Sequence, residues 1–164
     1  MHGPLEEISI EEVRSAIHKM KNDKSTGPTG VAAEMLKASG ESGARWMSDL
    51  FNTVVKKGII PEDWSKSWMV SIFRGKGDAL ECNSYRGITL LEHALKVFER
   101  VIEAKLREKL DIDDMQFGFS AGKGTTDAIF IVRQLQEKYW NKTELWMVFI
   151  DFEKAFDRVL REVI

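Results

Sequence analysis

The sequence contains one cysteine, Cys82, so no disulfide can form within the chain. A lone cysteine favours a reducing compartment over a secreted, disulfide-stapled scaffold. The three histidines, His2, His18 and His93, stand far apart, and Cys82 has no second cysteine to join it. A zinc site is therefore not expected, because structural zinc needs four clustered nitrogen or sulfur ligands.

Long apolar runs are also missing. No run approaches the roughly 20 residues that a membrane-spanning helix needs. The first residues lack the basic start and apolar stretch of a signal peptide. We therefore expect an intracellular protein, nuclear or cytoplasmic, that is not secreted and has no membrane partner. The sequence leaves the oligomeric state open.

A basic surplus is missing as well: 24 Lys and Arg face 26 Asp and Glu, giving a net charge of -2. This balance counts against a simple nucleic-acid-binding protein but allows a local basic face. The 164 residues suit one domain, or one and a piece. Hydrophobic residues make up 43% and charged residues 30%, which is typical of a soluble globular protein.

Helical signals dominate the first half of the chain. Ser9 and Glu12 have the spacing of a capping box, and the apolar residues that follow predict a helix over about 10–21. A short helix is predicted over 32–38. Gly58 would end a longer helix as a C-terminal cap. That helix has an apolar stripe formed by Trp46, Met47, Leu50, Phe51, Val54 and Val55.

Strand signals begin after Pro61, which suits the first position of another short helix. Strand formers fill 67–73, and we expect a polar loop over 74–87 before a second short strand at 88–90. A long amphipathic helix is predicted over 92–110, a loop over 111–123 and a helix over 125–139. The apolar run from Leu145 to Ile150 ends on Asp151, which is the pattern of a buried strand with an acid at its exit.

Asp151 is the sharpest chemical feature. A buried strand would hold its carboxylate rigidly, and nucleotidyl transfer needs oxygen ligands on a stiff frame for two metals about 3.5–4 Å apart. The same pattern also fits an aspartate that caps a helix starting near Glu153. The pattern alone leaves both interpretations open.

Motif-like residues surround Asp151 and precede it in four other stretches. In chain order they are Met20-Lys21-Asn22-x-Lys24-x-Thr26-Gly27-Pro28-x-Gly30, Ile60-Pro61-Glu62-Asp63-Trp64, Asn83-x-Tyr85-Arg86-Gly87-Ile88-x-Leu90-Leu91, Gln116-x-Gly118-Phe119-x-x-Gly122-x-Gly124-Thr125-Thr126-Asp127 and Phe149-x-Asp151-Phe152-x-Lys154-Ala155-Phe156-Asp157. Together they resemble reverse transcriptases of LINE-like, non-LTR retrotransposons, and their spacing is most similar to RTE-type members. Each stretch is moderately specific, but five in the same order are highly specific, and they cover nearly the whole chain.

The resemblance implies an α/β (α+β), helix-rich chain: the fingers and first palm segment of a right-hand polymerase fold, truncated before the thumb. The fingers and fingers/palm-like region would cover 1–140. The start of the palm, with the first catalytic motif, would cover 141–164. The family's double-aspartate hairpin and thumb would lie beyond Ile164, and we expect no endonuclease domain before Met1. We therefore expect neither autonomous retrotransposition nor Mg²⁺-dependent primer extension by this chain alone, because one aspartate cannot hold two Mg²⁺ ions.

The resemblance also implies the catalytic roles. Asp151 would be the first metal-binding aspartate, helped by the main-chain carbonyl of Phe152, with Mg²⁺ as the cofactor of the complete enzyme. Phe156 matches the ring beneath the incoming sugar, which blocks a 2′-hydroxyl and so selects deoxynucleotides. The implied partners are an RNA template, a DNA primer and deoxynucleotides.

Binding roles follow from the same comparison of motifs. Arg86 matches the fingers arginine that contacts the incoming triphosphate, as suits a planar guanidinium. Its companion cation would be Arg74 or Lys76, and the sequence does not decide between them. Without the resemblance, each would be interpreted as a solvated loop charge. The segment along template and nucleotide would contribute Gln116, Gly118, Phe119 and Lys123, with the glycine allowing close backbone approach.

One pair of acids imitates a catalytic motif. Asp113 and Asp114 precede Asp151 and lie in a polar loop, whereas the family's double aspartate follows the first aspartate on a hairpin. We therefore interpret both as solvated acids. Five positions depart from the family pattern and suggest an inactive or drifting copy: Thr29, Ser71, Ser120, Ala121 and Leu160.

Other hypotheses remain. The chain could be a non-enzymatic RNA-binding module whose basic face includes Lys19, Lys21, Lys24, Lys105, Arg107 and Lys109. Those lysines and arginines would otherwise be ordinary solvated helix surface, since acids such as Glu103 and Glu108 interleave with them. A third hypothesis is an inactive relic whose apolar edge at 145–150 invites aggregation. A phosphatase that uses Asp151 as nucleophile is a distant alternative.

Overall fold

A computed structural model describes residues 6–141 and 144–150. Within these residues the fold is mixed α/β and helix-rich, with five α-helices and one two-stranded sheet. It divides into two compact units, Met1–Asp111 and Ile112–Ile164. This division does not test the predicted boundary at 140/141, which stays a prediction. Among the described helices, none is long and apolar enough to cross a bilayer.

Helix α1, Ile10–His18, begins with the predicted capping box. The Ser9 backbone N–H donates to Glu12 Oε2 at 2.7 Å, and the Glu12 N–H donates to Ser9 Oγ at 3.2 Å. These reciprocal bonds satisfy two donors that a helix start leaves without partners. The helix ends a little before the predicted 21, and it buries Val13, Ala16 and Ile17.

Helix α2, Ala33–Ala38, and helix α3, Gly40–Lys57, follow as predicted. Gly58 has φ 65°, and its N–H donates to Val54 O at 2.8 Å, so the predicted glycine cap is confirmed. The predicted stripe is only partly buried, because the Trp46 ring is 64% exposed. Successive helical residues differ by about 100°, so Trp46 stands at the flank of the buried face that Met47 and Phe51 occupy.

The core of the first unit contains three aromatic rings. Phe51 lies 5.1 Å from Phe98 and 6.0 Å from Trp64, centroid to centroid, and Trp64 lies 5.7 Å from Phe98. Trp64 comes from a short 3-10 turn, Glu62–Ser65, with Pro61 as its cap rather than its first helical residue. Tilted contacts of this kind add roughly 0.5–1.5 kcal/mol each beyond area burial.

Helix α4, His93–Lys109, contributes Phe98 and packs on α1. Lys105 is buried, and its Nζ lies 2.8 Å from Glu12 Oε1 and 3.4 Å from Glu7 O. Its place on a basic face and its interpretation as solvated helix surface are therefore both wrong, because this ammonium is buried in an ion pair between α1 and α4. Arg107 pairs along its own helix with Glu103 at 2.9 Å.

The glycine loop before α2 is attached to the start of α4. Thr29 donates from its backbone N–H to Glu92 Oε1 at 2.8 Å and from its hydroxyl to Glu92 Oε2. His93 Nδ1 lies 2.9 Å from Val31 O. A Cβ added at Gly27 would lie 2.8 Å from the Glu92 backbone nitrogen, so no larger residue fits there without a shift.

Strands β1, Trp68–Phe73, and β2, Tyr85–Leu90, pair antiparallel in the register Trp68↔Leu90 to Phe73↔Tyr85. The predicted loop over 74–87 is wrong for residues 85–87, which belong to β2. Cross-strand pairing with β1 decides their conformation, whereas the polar, glycine-containing sequence of this stretch indicated a loop. Every β1 side chain is exposed.

In the second unit, helix α5, Thr125–Tyr139, follows a loop as predicted. Asp127 Oδ2 accepts from the Gly124 N–H at 2.7 Å at its start. The predicted buried strand over 145–150 is wrong: these residues form no strand, and Trp146 is 85% exposed. A strand needs a hydrogen-bonding neighbour, and the one ladder among the described residues joins β1 to β2.

Candidate functional site

The β1–β2 hairpin carries the predicted nucleotide-binding cations at its tip. Arg86 lies opposite Ile72 in the register, and Arg74 follows Ile72 by two residues. Paired residues of an antiparallel ladder point to the same face, and so do residues two apart along a strand. Because the Arg74 N–H donates to Ser84 O at 2.8 Å, the pairing extends one position beyond β1. Alternation therefore puts Arg74 and Arg86 on one face, as diagonal neighbours.

The opposite face of the tip is aromatic. The rings of Phe73 and Tyr85 lie 5.4 Å apart, centroid to centroid. The Tyr85 hydroxyl donates to Ala79 O at 3.0 Å, which ties the connecting loop to β2. Arg74 Nε donates to Tyr85 O at 3.3 Å and restrains the guanidinium beside the strand end. Arg74 is therefore anchored on both backbone and side chain, although it is exposed.

Lys76 stands in the connecting loop between two glycines with positive φ, Gly75 at 74° and Gly77 at 86°. A Cβ at Gly77 would lie 2.6 Å from Ser84 Oγ, so the loop passes close to the residue just before β2. Among the described residues, the side chains of Lys76 and Arg86 make no hydrogen bond or ion pair. The structure thus places Arg74, Lys76 and Arg86 on one hairpin, with the two arginines on a shared face.

The predicted template segment forms a compact loop in the second unit. Gln116 Nε2 donates to Gly118 O at 3.0 Å, and Lys123 Nζ lies 3.0 Å from Asp114 Oδ1. A Cβ added at Gly118 would meet only Gln116 Nε2, at 3.7 Å, which is an ordinary contact. Nothing in the described fold therefore requires glycine at 118.

Phe119 in the same loop combines an unusual backbone with an exposed ring. Its φ is 56°, a region that non-glycine residues rarely adopt, and the residue is 86% exposed.

Asp113 Oδ1 accepts from the Met115 N–H at 2.7 Å, and Asp114 pairs with Lys123. The two acids lie in a turn, as predicted, and both have local partners.

The structure also groups cations that the sequence did not connect. Lys21 and Lys24 line a cavity together with Lys96 and Arg100 of α4. The available signal was the i, i+4 spacing of Lys96 and Arg100, which puts both on one helix face. Sequence patterns do not show that α4 lies beside the segment after α1, so this grouping was missed.

The predicted catalytic residues Asp151, Phe152 and Phe156 lie outside the described residues. Within residues 6–141 and 144–150, no group of three or more His, Cys, Asp or Glu could hold a metal ion. The predicted metal site therefore depends on the segment around Asp151 and stays a prediction.

Residues 65–162 match the family model described as "Reverse transcriptase (RNA-dependent DNA polymerase)". This chain belongs to the reverse transcriptase family. All predicted site residues, from Arg74 to Phe156, fall within the matched segment.

The relatives of this reverse transcriptase chain are proteins of non-LTR retrotransposons. It is 29% identical over 164 residues to the "Probable RNA-directed DNA polymerase from transposon BS" of Drosophila melanogaster, covering 97% of this chain and 18% of the relative. It is 28% identical over 164 residues, with the same coverage, to the "RNA-directed DNA polymerase from mobile element jockey". It is 30% identical over 156 residues to the "Putative 115 kDa protein in type-1 retrotransposable element R1DM", covering 93% of this chain and 15% of the relative.

The chain therefore spans less than a fifth of the length of these relatives. The resemblance to non-LTR retrotransposon enzymes is confirmed. The narrower RTE-type assignment stays a prediction, since these relatives do not decide between subgroups.

Proposed function

We propose that this chain forms the fingers and the start of the palm of a right-hand polymerase that copies RNA into DNA for a non-LTR retrotransposon. The observation that carries the proposal is the family match over residues 65–162, which contains every predicted site residue. The exposed cations on the β1–β2 hairpin support it, because a polymerase needs positive charge where a triphosphate arrives.

In this proposal Arg86 and Arg74 together bind the triphosphate of the incoming deoxynucleotide. Two guanidinium groups on one face can each donate a pair of hydrogen bonds to phosphate oxygens. Lys76 is the weaker companion, because it stands in the loop beyond the ladder and is less restrained than Arg74. The alternation along β1 therefore favours Arg74 for the role that the sequence left open.

The loop with Gln116, Gly118, Phe119 and Lys123 would contact the template. An exposed aromatic ring is a stacking platform for a base, and such stacking contributes about 1–3 kcal/mol per base. The fold has room for a Cβ at Gly118. This supports the same role, because a glycine there would serve close approach of a bound strand and not the packing of the fold. Lys123 would have to leave Asp114 to contact a phosphate.

Asp151 and the carbonyl of Phe152 would contribute the metal ligands. Both are hard oxygen donors, which are the donors that Mg²⁺ prefers. When bound, Mg²⁺ would neutralise phosphate charge and activate the primer hydroxyl. The Phe156 ring would exclude a 2′-hydroxyl. An RNA template, a DNA primer and deoxynucleotides are the partners that this proposal requires.

Nucleotide binding tests the proposal without requiring catalysis. We would titrate a fluorescent deoxynucleoside triphosphate, in Mg²⁺, into the chain and into its Arg86→Gln and Arg74→Gln variants. Each variant should weaken binding by roughly tenfold or more, since a charge-assisted bond contributes about 1.5–3 kcal/mol. The matched control is Arg14→Gln, an exposed arginine on α1. Equal effects at Arg14 and Arg86 would contradict the proposed role.

Primer extension is the companion measurement. We expect no extension by the 164-residue chain alone, because a single metal-binding aspartate cannot hold two Mg²⁺ ions. Extension that is lost in Asp151→Ala would overturn this expectation while supporting the family's chemistry.

A further inference from the structure

A cavity of about 340 Å³ lies between the segment after α1 and the exposed side of α4. Its lining residues are Met20, Lys21, Lys24, His93, Lys96, Glu99, Arg100 and Glu103. Four of them are cations, in a chain whose net charge is -2. The lining of the cavity therefore has a positive net charge, whereas the whole chain has a negative one.

The two acids of the cavity offset these cations only in part. Glu103 accepts from Arg107 at 2.9 Å, so its charge is already compensated along α4. Loss of solvent around the Glu99 carboxyl raises its pKa, and the nearby Lys96 opposes this. Among the described residues, Lys21, Lys24 and Arg100 have no ion pair. The cavity thus has more positive charge than its acids neutralise.

The remaining wall is buried and offers no base recognition. Met20 is buried, and His93 is fixed by its Nδ1 contact with Val31 O at 2.9 Å. A carbonyl only accepts, so Nδ1 carries the proton in this contact. The lining contains no Phe, Tyr or Trp ring on which a base could stack. The volume, about 340 Å³, lies at the lower end of the roughly 300–1,000 Å³ of small-molecule sites.

We propose that this cavity binds phosphate groups of a nucleic-acid strand through Lys21, Lys24, Lys96 and Arg100. We expect the site to bind the charge of the backbone, because its lining is rich in cations and contains no aromatic ring on which a base could stack. The proposal rests on the proposed function and deepens it by adding a backbone contact formed by residues that do not belong to the β1–β2 hairpin. It concerns binding by this chain and does not depend on nucleotidyl transfer.

The test measures the salt dependence of binding. A fluorescein-labelled single-stranded RNA of about one dozen nucleotides is titrated with the full chain at several salt concentrations. Each phosphate contact to a single strand contributes about -0.7 to the slope of log K against log salt. The double variant Lys96→Gln/Arg100→Gln should therefore flatten the slope by about 1.4 and weaken binding roughly 25-fold at 0.1 M salt.

The matched control is Lys56→Gln/Lys57→Gln, which changes net charge equally at the exposed end of α3. It should leave the slope unchanged. Glu99→Gln should tighten binding, because it removes a like charge from the phosphate's surroundings. Circular dichroism checks that all variants stay folded, and glutamine is a good helix former.

A second titration distinguishes a strand from a free polyphosphate. Inorganic tripolyphosphate should compete with RNA for the wild-type chain, and the Lys96→Gln/Arg100→Gln variant should bind both more weakly. If the variant loses affinity for tripolyphosphate alone, the cavity binds free phosphate, and the proposal that it binds a nucleic-acid strand is wrong. If the cavity variant and the control variant lose equal RNA affinity, or if the salt dependence of binding does not change, the cavity is not a phosphate site. Because deoxynucleotide binding at Arg86 is measured separately, failure of either proposal can be recognised without the other.

Discussion

The ion pair between Glu12 and Lys105 allows a quantitative test of how α1 and α4 are held together. Lys105 has a side chain only 8% exposed, whereas the Glu12 side chain is 35% exposed. Removing the carboxylate with Glu12→Gln leaves a buried ammonium whose remaining partner is Glu7 O, at 3.4 Å. Breaking a buried pair costs roughly 3–5 kcal/mol, and the partial exposure of Glu12 moves the expectation to about 3 kcal/mol.

The reverse variant should be milder. Lys105→Met leaves a carboxylate that keeps the Ser9 N–H at 2.7 Å and the Ser9 hydroxyl at 2.9 Å. Methionine also replaces most of the buried lysine stem, so we expect a loss of about 1 kcal/mol. The double variant should resemble Lys105→Met, which gives a coupling of about 3 kcal/mol in the cycle.

Urea unfolding at pH 7, followed by circular dichroism and tryptophan fluorescence, measures all four proteins of the cycle. Burial alone would raise the pKa of Glu12, but hydrogen bonds from Lys105 and Ser9 outweigh it and lower the pKa below the ordinary 4.5. The pair's contribution is therefore fully present above pH 4.5 and is lost as pH falls through the lowered pKa. The gap between wild type and Glu12→Gln should close over that range. Equal losses for the two single variants, with an additive double variant, would refute the reasoning.

Three further predictions concern the first unit, each read from the urea midpoint. Thr29→Asp should destabilise it by about 3 kcal/mol, because a second carboxylate would replace the hydroxyl that donates to buried Glu92; Thr29→Val should cost about half as much. Gly58→Ala should cost about 1 kcal/mol, because φ 65° disfavours a Cβ, and Lys57→Ala is the control that should change little. Phe51→Ala should cost about 3–5 kcal/mol by opening the core beside Trp64, with Phe51→Leu smaller; a loss below about 1 kcal/mol for Phe51→Ala would contradict the packing.

Local signals made the helices predictable. The capping box at Ser9 and Glu12 and the cap at Gly58 act over a few residues, so the sequence alone specifies them. The long α4 was predicted within a residue or so at either end for the same reason, since its periodicity repeats over several turns. Such features depend on neighbours along the chain and hardly on the rest of the fold.

Features that depend on distant partners were missed. Lys105 looked like surface charge because nothing near it in sequence shows that Glu12 of α1 lies alongside. Residues 85–87 looked like loop because the pairing of β2 with β1 was not visible. The apolar run at 145–150 has the composition of a buried strand, yet burial requires a neighbouring strand that composition cannot show.

The residues of the candidate site also include some that the sequence identified and some that only the structure brings together. Motif residues identified Arg74, Lys76 and Arg86 as candidates, but only the register of the hairpin favours Arg74 as the companion of Arg86. The cavity cations Lys96 and Arg100 lie in no motif. They become a group only when α4 lies beside Lys21 and Lys24.

Two of the departures from the family pattern, Thr29 and Ser120, bear on the hypothesis of an inactive copy in different ways. Thr29, where the family pattern has aspartate, donates twice to the buried Glu92, so the fold uses this residue. Ser120, where the pattern has arginine, donates from its hydroxyl to Gly118 O at 3.5 Å and brings no positive charge. Lys123, the remaining cation of that loop, is paired with Asp114. Thr29 therefore contributes to the fold, whereas under the proposed function the serine at 120 would weaken template binding. On that proposal, any loss of activity should appear in RNA affinity at 116–123 before it appears in stability.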